Sequence, residues 1–261
     1  MAVVLGPVRA VLVCVEHRLT WYRRNWRASV VSNFLQPVLF LLALGLGFGS
    51  QVRPGPATGG LPYVEFLAPA LLVVTALQAT IQESTYAVLS ALKWEKRYVG
   101  LVATPVTPAQ VLYGHLVWIA AQSALATTAF LVVAALLGAV TSPLAVLAVP
   151  AAVLAGMAFS APTVAFSVTR EQPAGFGALH RFLVMPMVLF GGTYFPLDQL
   201  PDWLHPVVWL TPVWHGVELC RGLALGGLSP LAALGHVAYL AALVVLGTVP
   251  ARRFFHRRLT Q

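Results

Sequence analysis

Apolar residues in this chain come in runs about as long as a helix needs to cross a hydrocarbon core, roughly 20 residues. Short polar connections separate them. The runs place spans at residues 30–48, 63–82, 111–139, 144–168, 181–194 and 230–249. Gln36-Pro37 lies inside the first span and is expected to kink it. The second is expected to continue as a helix beyond the membrane to Leu92. Ahead of the first span, Val8, Val11, Leu12, Val15 and Leu19 recur every three or four residues, while Arg9, Glu16, Arg23, Arg24 and Arg27 are charged. With Trp21, Tyr22 and Trp26 beside them, they predict an amphipathic helix lying in a membrane interface. Glycines and prolines make residues 49–62 a loop and residues 140–143 a tight turn, while residues 93–109 and 169–180 read as polar connections. The expected fold is all-α and membrane-integral, in one unit. It comprises an interface helix at 1–29, a bundle of six transmembrane helices at 30–249 and a basic tail at 250–261.

The fifth run departs from an ordinary span. It opens as an apolar helix containing Pro186 and breaks at Gly191-Gly192, and Pro196, Pro201, Pro206 and Pro212 follow. Such residues interrupt the backbone ladder, and freed carbonyls in lipid cost several kcal/mol each unless protein or water satisfies them. Yet Trp203, Trp209 and Trp214 lie between the prolines, as residues of a membrane interface do. The segment therefore reads as a span that stops near the far surface, followed by short re-entrant helices between spans five and six. An aromatic-rich external loop is the other reading. Asp198 and Asp202 are placed to cap the short helices. Replacing Gly191 and Gly192 by valine is expected to spare assembly and impair a gate built here.

Composition agrees with a membrane protein. Hydrophobic residues make up 59% of the 261 and charged residues 9%, against roughly 25% charged in soluble domains. Of the 16 Lys and Arg residues, only Arg53 and Arg221 fall on one side of the predicted bundle. The positive-inside rule then puts both termini in the cytoplasm. The N-terminal apolar stretch is followed by arginines and lacks a small-residue cleavage site, so no cleaved signal is expected. Cys14 and Cys220 suggest neither a disulfide nor a metal site. No phosphate-binding or dinucleotide-binding fingerprint is present, and no metal motif. His115, His180, His205 and His215 are scattered over different segments. No basic run interleaves with aromatics in a way that suggests nucleic acid. Hence no catalytic, cofactor or metal residue is expected in this chain.

The stretch Glu83 to Ala109 is the best candidate for a partner contact. Pro105 and Pro108 stiffen it, and Thr107 is placed to cap a helix starting at Pro108. Lys93, Glu95, Arg97, Thr104 and Pro105 mark the elbow. Glu83, with Gln78, Gln82, His115 and Gln122 near it, lies where ionisable groups usually face protein or water. A competing class, a membrane-embedded lipid- or glycan-modifying enzyme, would need converging acid, base and nucleophile. Asp198, Asp202, His205 and His215 are the candidates for that set.

Taken together, several pieces resemble the permease subunits of type-2 ABC exporters for drugs, nodulation lipo-oligosaccharides and cell-surface polysaccharides. They are Asn33-Phe34-Leu35-Gln36-Pro37, Leu101-Val102-Ala103-Thr104-Pro105, Gly191-Gly192-Thr193-Tyr194-Phe195-Pro196, Leu200-Pro201-Asp202-Trp203-Leu204, Pro212 and Arg221-Gly222. The resemblance implies an exporter in the plasma membrane (the inner membrane of a prokaryote). It would move an amphipathic lipid-like, glycolipid or drug-like substrate out of the cytoplasm or inner leaflet. It further implies two separate ABC ATPase subunits holding ATP and magnesium, and a second permease copy or close homologue. The coupling elbow would comprise Lys93, Glu95, Arg97, Thr104 and Pro105. The external re-entrant gate would comprise Gly191, Gly192, Pro196, Pro201, Trp203, Pro212 and Arg221.

Overall fold

The computed structural model describes residues 6–47, 55, 58 and 60–260, and every regular element among them is a helix. The expected loop at 49–62 lies largely outside the described residues. Four helical stretches are long and apolar enough to cross a membrane: Tyr63–Lys93, Pro108–Leu136, Pro143–Val168 and Pro230–Thr260. These match the expected spans two, three, four and six.

The N-terminal region differs from expectation. Helix α1 (Pro7–Phe40) runs unbroken through the expected junction between interface helix and first span, then changes to π-helical winding over Leu41–Gly47. No glycine or turn signal lies between Arg27 and Val30, so nothing local ends the helix there. Proline at position 37 does not end it either, although π winding follows four residues later. The stripe of Val8, Leu12 and Leu19 is exposed, the face a lipid interface would cover. Ala10, Cys14 and Arg18 point into the protein instead.

Helix α2 (Tyr63–Ser84) is the hub, buried along most of its length. An all-round apolar helix is stable only when neighbours surround it, and here they are α5 (Pro108–Leu136), α6 (Ala148–Val168) and α10 (Pro212–Leu225). Small residues allow close crossings, as expected where lipid offers no hydrophobic drive between helices. The Ser84 and Ser160 hydroxyls meet at 2.5 Å. At Gly247 of α11 (Pro230–Thr260), an added Cβ would lie 2.3 Å from the Pro162 backbone nitrogen. Past Thr85, α3 (Tyr86–Lys93) carries the second span's helix onward, as expected. The 3-10 turn Pro143–Leu147 leads into α6.

Three further expectations are corrected. The polar connection at 169–180 is only half loop, because α7 (Ala174–Leu179) already begins there. It continues through a π turn, His180–Val184, into α8 (Met185–Phe190). The fifth element is thus helix Ala174–Phe190, about 26 Å long at 1.5 Å per residue and short of the roughly 30 Å of a hydrocarbon core. The basic tail is no separate piece, since α11 passes Pro250 without a break and ends at Thr260. Asp198 and Asp202 do not cap. They sit inside 3-10 turns, Leu197–Gln199 and Asp202–Leu204, which Pro196 and Pro201 precede.

Candidate functional site

Two places on the bundle join residues singled out by sequence. The first is the elbow at the basic end. Trp94 closes α3, and Lys96 takes a left-handed conformation (φ 51°) that turns the chain into α4 (Arg97–Val102). α4 then ends in a tight turn: the Thr104 hydroxyl donates to the Leu101 carbonyl at 2.6 Å, and the Val106 amide donates to the Thr104 carbonyl at 2.7 Å. Val106 is buried while Ala103, Thr104 and Pro105 are exposed. Thr107 caps α5 as expected: its hydroxyl accepts from the Gln110 amide, the Gln110 side chain accepts from the Thr107 amide, and Pro108 follows. The result is a short protruding tip, anchored at Val106 and held at both ends.

The elbow residues do not form one cluster. Lys93 donates to the Glu171 backbone carbonyl at 2.8 Å and pairs with its carboxylate, which also pairs with Arg258. Hydrogen bonds from Lys93 and Arg258 hold the Glu171 carboxyl below its usual pKa. This exposed knot ties the elbow to the end of α11. Glu95 instead sits 3.5 Å from Arg97.

Beneath the elbow lies a cluster that the sequence reading did not assemble. Arg18, only 7% exposed, pairs with Glu83 at 2.5 Å and donates to the Tyr98 hydroxyl at 3.4 Å. His115 Nε2 is 2.9 Å from the Glu83 carbonyl, and its ring meets Tyr98 edge-on. Four elements, α1, α2, α4 and α5, therefore meet at one charged pair. A cavity of about 460 Å³ beside it is lined by Glu83, Glu95, Arg97, Trp118 and Gln122 among others. The usable signal was the spacing of Ala10, Cys14 and Arg18, which four-residue steps place on one helix face. Glu83→Ala is expected to destabilise the purified chain by about 3 kcal/mol, because it strands a buried guanidinium. Thermal unfolding in detergent measures this, and an unshifted midpoint would mean the pair carries no structural weight.

The second place is the break after α8. Gly192 is left-handed (φ 77°), a conformation glycine adopts at little cost. Arg221 on α10 reaches it: Nη2 donates to the Gly192 carbonyl at 2.8 Å and Nη1 to Glu218 at 3.2 Å. The guanidinium also lies 4.0 Å over the Phe66 ring of α2. The Tyr63 hydroxyl donates to the Tyr194 carbonyl at 3.4 Å. Two carbonyls at the break, those of Gly192 and Tyr194, are thus satisfied by protein side chains, which lipid could not do. Gly216 brings α10 close to Val73 and Ala155. Pro212 opens α10 behind a Thr211 cap, and Pro196 is half-buried. Pro201 and Trp203 are exposed and take no part in this contact; Trp203 is 73% exposed. A Cβ at Gly191 would meet the Met187 carbonyl at 2.4 Å and Val213 at 2.8 Å. Valine there would therefore overpack the joint and lower assembly, contrary to expectation.

The acid–base set proposed for an enzyme does not converge. His205 bonds to the Leu200 carbonyl, and His215 to the Trp209 carbonyl and His236. Neither Asp198 nor Asp202 hydrogen-bonds or pairs with either histidine among the described residues.

The family model described as ABC-2 type transporter matches residues 9–225. Nodulation protein J of Rhizobium meliloti (strain 1021) is 30% identical over 248 residues, covering 91% of this chain and 92% of that protein. Nodulation protein J of Bradyrhizobium diazoefficiens is 32% identical over 247 residues, covering 91% and 92%. A probable doxorubicin resistance ABC transporter permease protein, DrrC, of Mycobacterium tuberculosis is 25% identical over 265 residues, covering 97% and 90%.

Proposed function

The chain belongs to the ABC-2 type transporter family, and from that premise we infer that it is the permease subunit of an ATP-binding cassette exporter. Members of this family normally work with an ABC ATPase, and the chain is a multi-pass membrane protein. The finer reading is that two copies, or this chain and a close homologue, enclose the pathway. Two ATPase subunits then hold ATP and magnesium at the basic, cytoplasmic face of a prokaryotic inner membrane. The cargo is an amphipathic lipid-like, glycolipid or drug-like molecule. The relative named for doxorubicin resistance supports a drug-like cargo, and the four helices long and apolar enough to cross a membrane suit an amphipathic one.

The observation that carries the mechanism is the junction of α1, α2, α4 and α5 at Arg18 and Glu83. Closure of the ATPase pair pushes the exposed tip at Thr104-Pro105. Because α4 is bonded to α1 through Tyr98 and Arg18, the push moves α1 and the spans as one body. Such a switch needs contacts that differ between two states. At the other end, the Arg221–Gly192 bond ties α10 to the break after α8, and on this reading α10 and the re-entrant α9 (His205–Trp209) cover the exit.

Orientation is tested with cysteines, since Cys14 and Cys220 are both buried and give little background. In sealed cells, an impermeant thiol reagent is expected to label Ser229→Cys, in the exposed link between α10 and α11, but not Thr260→Cys. The reverse pattern would invert the proposed topology. Assembly is tested by ATP hydrolysis, which the purified chain alone is expected to lack and the chain with its partner to show.

A further inference from the structure

We propose that the basic end of α11 carries a site for the phosphodiester headgroup of an anionic phospholipid, built from Arg252, Arg253 and Arg257 of α11 and Tyr113 of α5. A cavity of about 540 Å³ lies there, lined by these residues with Thr248, Val249 and His256. Arg252 and His256, and likewise Arg253 and Arg257, are four residues apart, so the four form two adjoining rows on the side of α11 that borders the cavity. Three guanidiniums lining one cavity give it a positive field that favours an anion there.

The contrast with the other basic-end cations whose side chains are described singles the site out. Arg18, Lys93, Arg97 and Arg258 each have a carboxylate partner, and Arg170 lies 4.1 Å over the Phe166 ring. Arg252, Arg253 and Arg257 have no ion pair or hydrogen bond to protein among the described residues, yet they converge on a cavity. Arg9, Lys96 and Arg181 also lack an ion pair there, but they line no cavity described for this bundle. Guanidinium forks match phosphate oxygens two at a time. Tyr113, exposed on the neighbouring helix, adds a phenol donor from the other wall.

The apolar surroundings decide between a lipid and free phosphate. Val245, Leu246 and Val249 are exposed on α11 immediately above the arginines, and Val117 is exposed one turn above Tyr113 on α5. A headgroup held by the arginines would lay its acyl chains along these residues. Free phosphate would leave that apolar wall uncovered. Cationic pockets at the cytoplasmic ends of membrane helices suit anionic headgroups for this reason.

The test is retention of phosphatidylglycerol by the full-length chain. Protein is purified from nanodiscs that contain phosphatidylcholine with a minority of phosphatidylglycerol, delipidated in detergent, and the bound lipid counted by mass spectrometry. A charge-assisted hydrogen bond from a guanidinium to a phosphate oxygen contributes at least about tenfold. The triple variant Arg252→Gln, Arg253→Gln, Arg257→Gln is therefore expected to lose at least about tenfold of the retained phosphatidylglycerol. A control with equal charge loss, Arg9→Gln, Lys96→Gln, Arg181→Gln, is expected to retain it, and Tyr113→Phe to lose part. Equal loss in both triples would reduce the effect to general surface potential and overturn the site. Displacement by inorganic phosphate, with no preference for phosphatidylglycerol over phosphatidylcholine, would overturn the lipid. Unchanged lipid retention with loss of ATPase co-purification would assign the arginines to the partner protein instead. Normal thermal unfolding of both triples checks that neither variant misfolds.

Discussion

Replacing Thr104 and Pro105 together by glycine is expected to reduce export at least tenfold while leaving the amount of permease in the membrane nearly unchanged. Both side chains are exposed, so their loss removes little packing. What they supply is stiffness. Proline fixes its own φ and biases the residue before it toward extended backbone, while the Thr104 hydroxyl closes the last turn of α4. Two glycines return freedom to a tip that the proposed coupling needs stiff, at a cost of about 1 kcal/mol each to local order. Val106 and the Thr107 cap lie just beyond and remain in place, so α5 keeps its start. The measurement is export per assembled transporter, beside ATP hydrolysis with the partner subunit. Hydrolysis that persists while export falls would show the tip couples the two. Undiminished export would remove it from the mechanism.

Arg221→Met is expected to loosen the segment that follows the break after α8. It deletes the charged bond to the Gly192 carbonyl, the pair with Glu218 and the contact over Phe66. Hydrogen bonds to charged groups contribute about 1.5–3 kcal/mol and a desolvated cation–π contact about 2. A loss of about 3 kcal/mol is expected, since such terms overlap. Methionine keeps the apolar stem, so the loss reports the guanidinium. Arg221→Lys is expected to recover little, because lysine retains the charge but not the fork that reaches two oxygens at once. Protease accessibility of the segment around Pro201, read against thermal unfolding of the whole chain, separates a loosened segment from global collapse. A variant in which that segment stays as protected as in the parent would show that Arg221 does not hold it.

The sequence alone determined features governed by a few adjacent residues. Apolar run length set the helices at Tyr63–Lys93, Pro108–Leu136, Pro143–Val168 and Pro230–Thr260. The Thr107-Pro108 pair with Gln110 set the start of α5, because a cap is made within three residues. Gly192 set the turn, because few other residues adopt its backbone angles. Local signals also misled where packing overrode them. Asp198 and Asp202 are good caps in isolation, but the prolines before them took the boundary positions. The stretch 169–180 is polar enough for a loop, yet Phe176 is buried against Tyr86 and Phe166, and a helix forms around it. Only the tertiary structure decided which distant residues meet. Arg18 and Glu83 are 65 positions apart, and Arg221 and Gly192 are 29 apart. Hydropathy and charge state that each must find a partner, since a lone charge in a low-dielectric interior is costly. They do not state which one, because that choice depends on how neighbouring helices cross and rotate. Those crossings are set by close approaches such as Gly247 on Pro162 and Gly216 on Ala155, which involve both helices at once and leave no mark on either one alone.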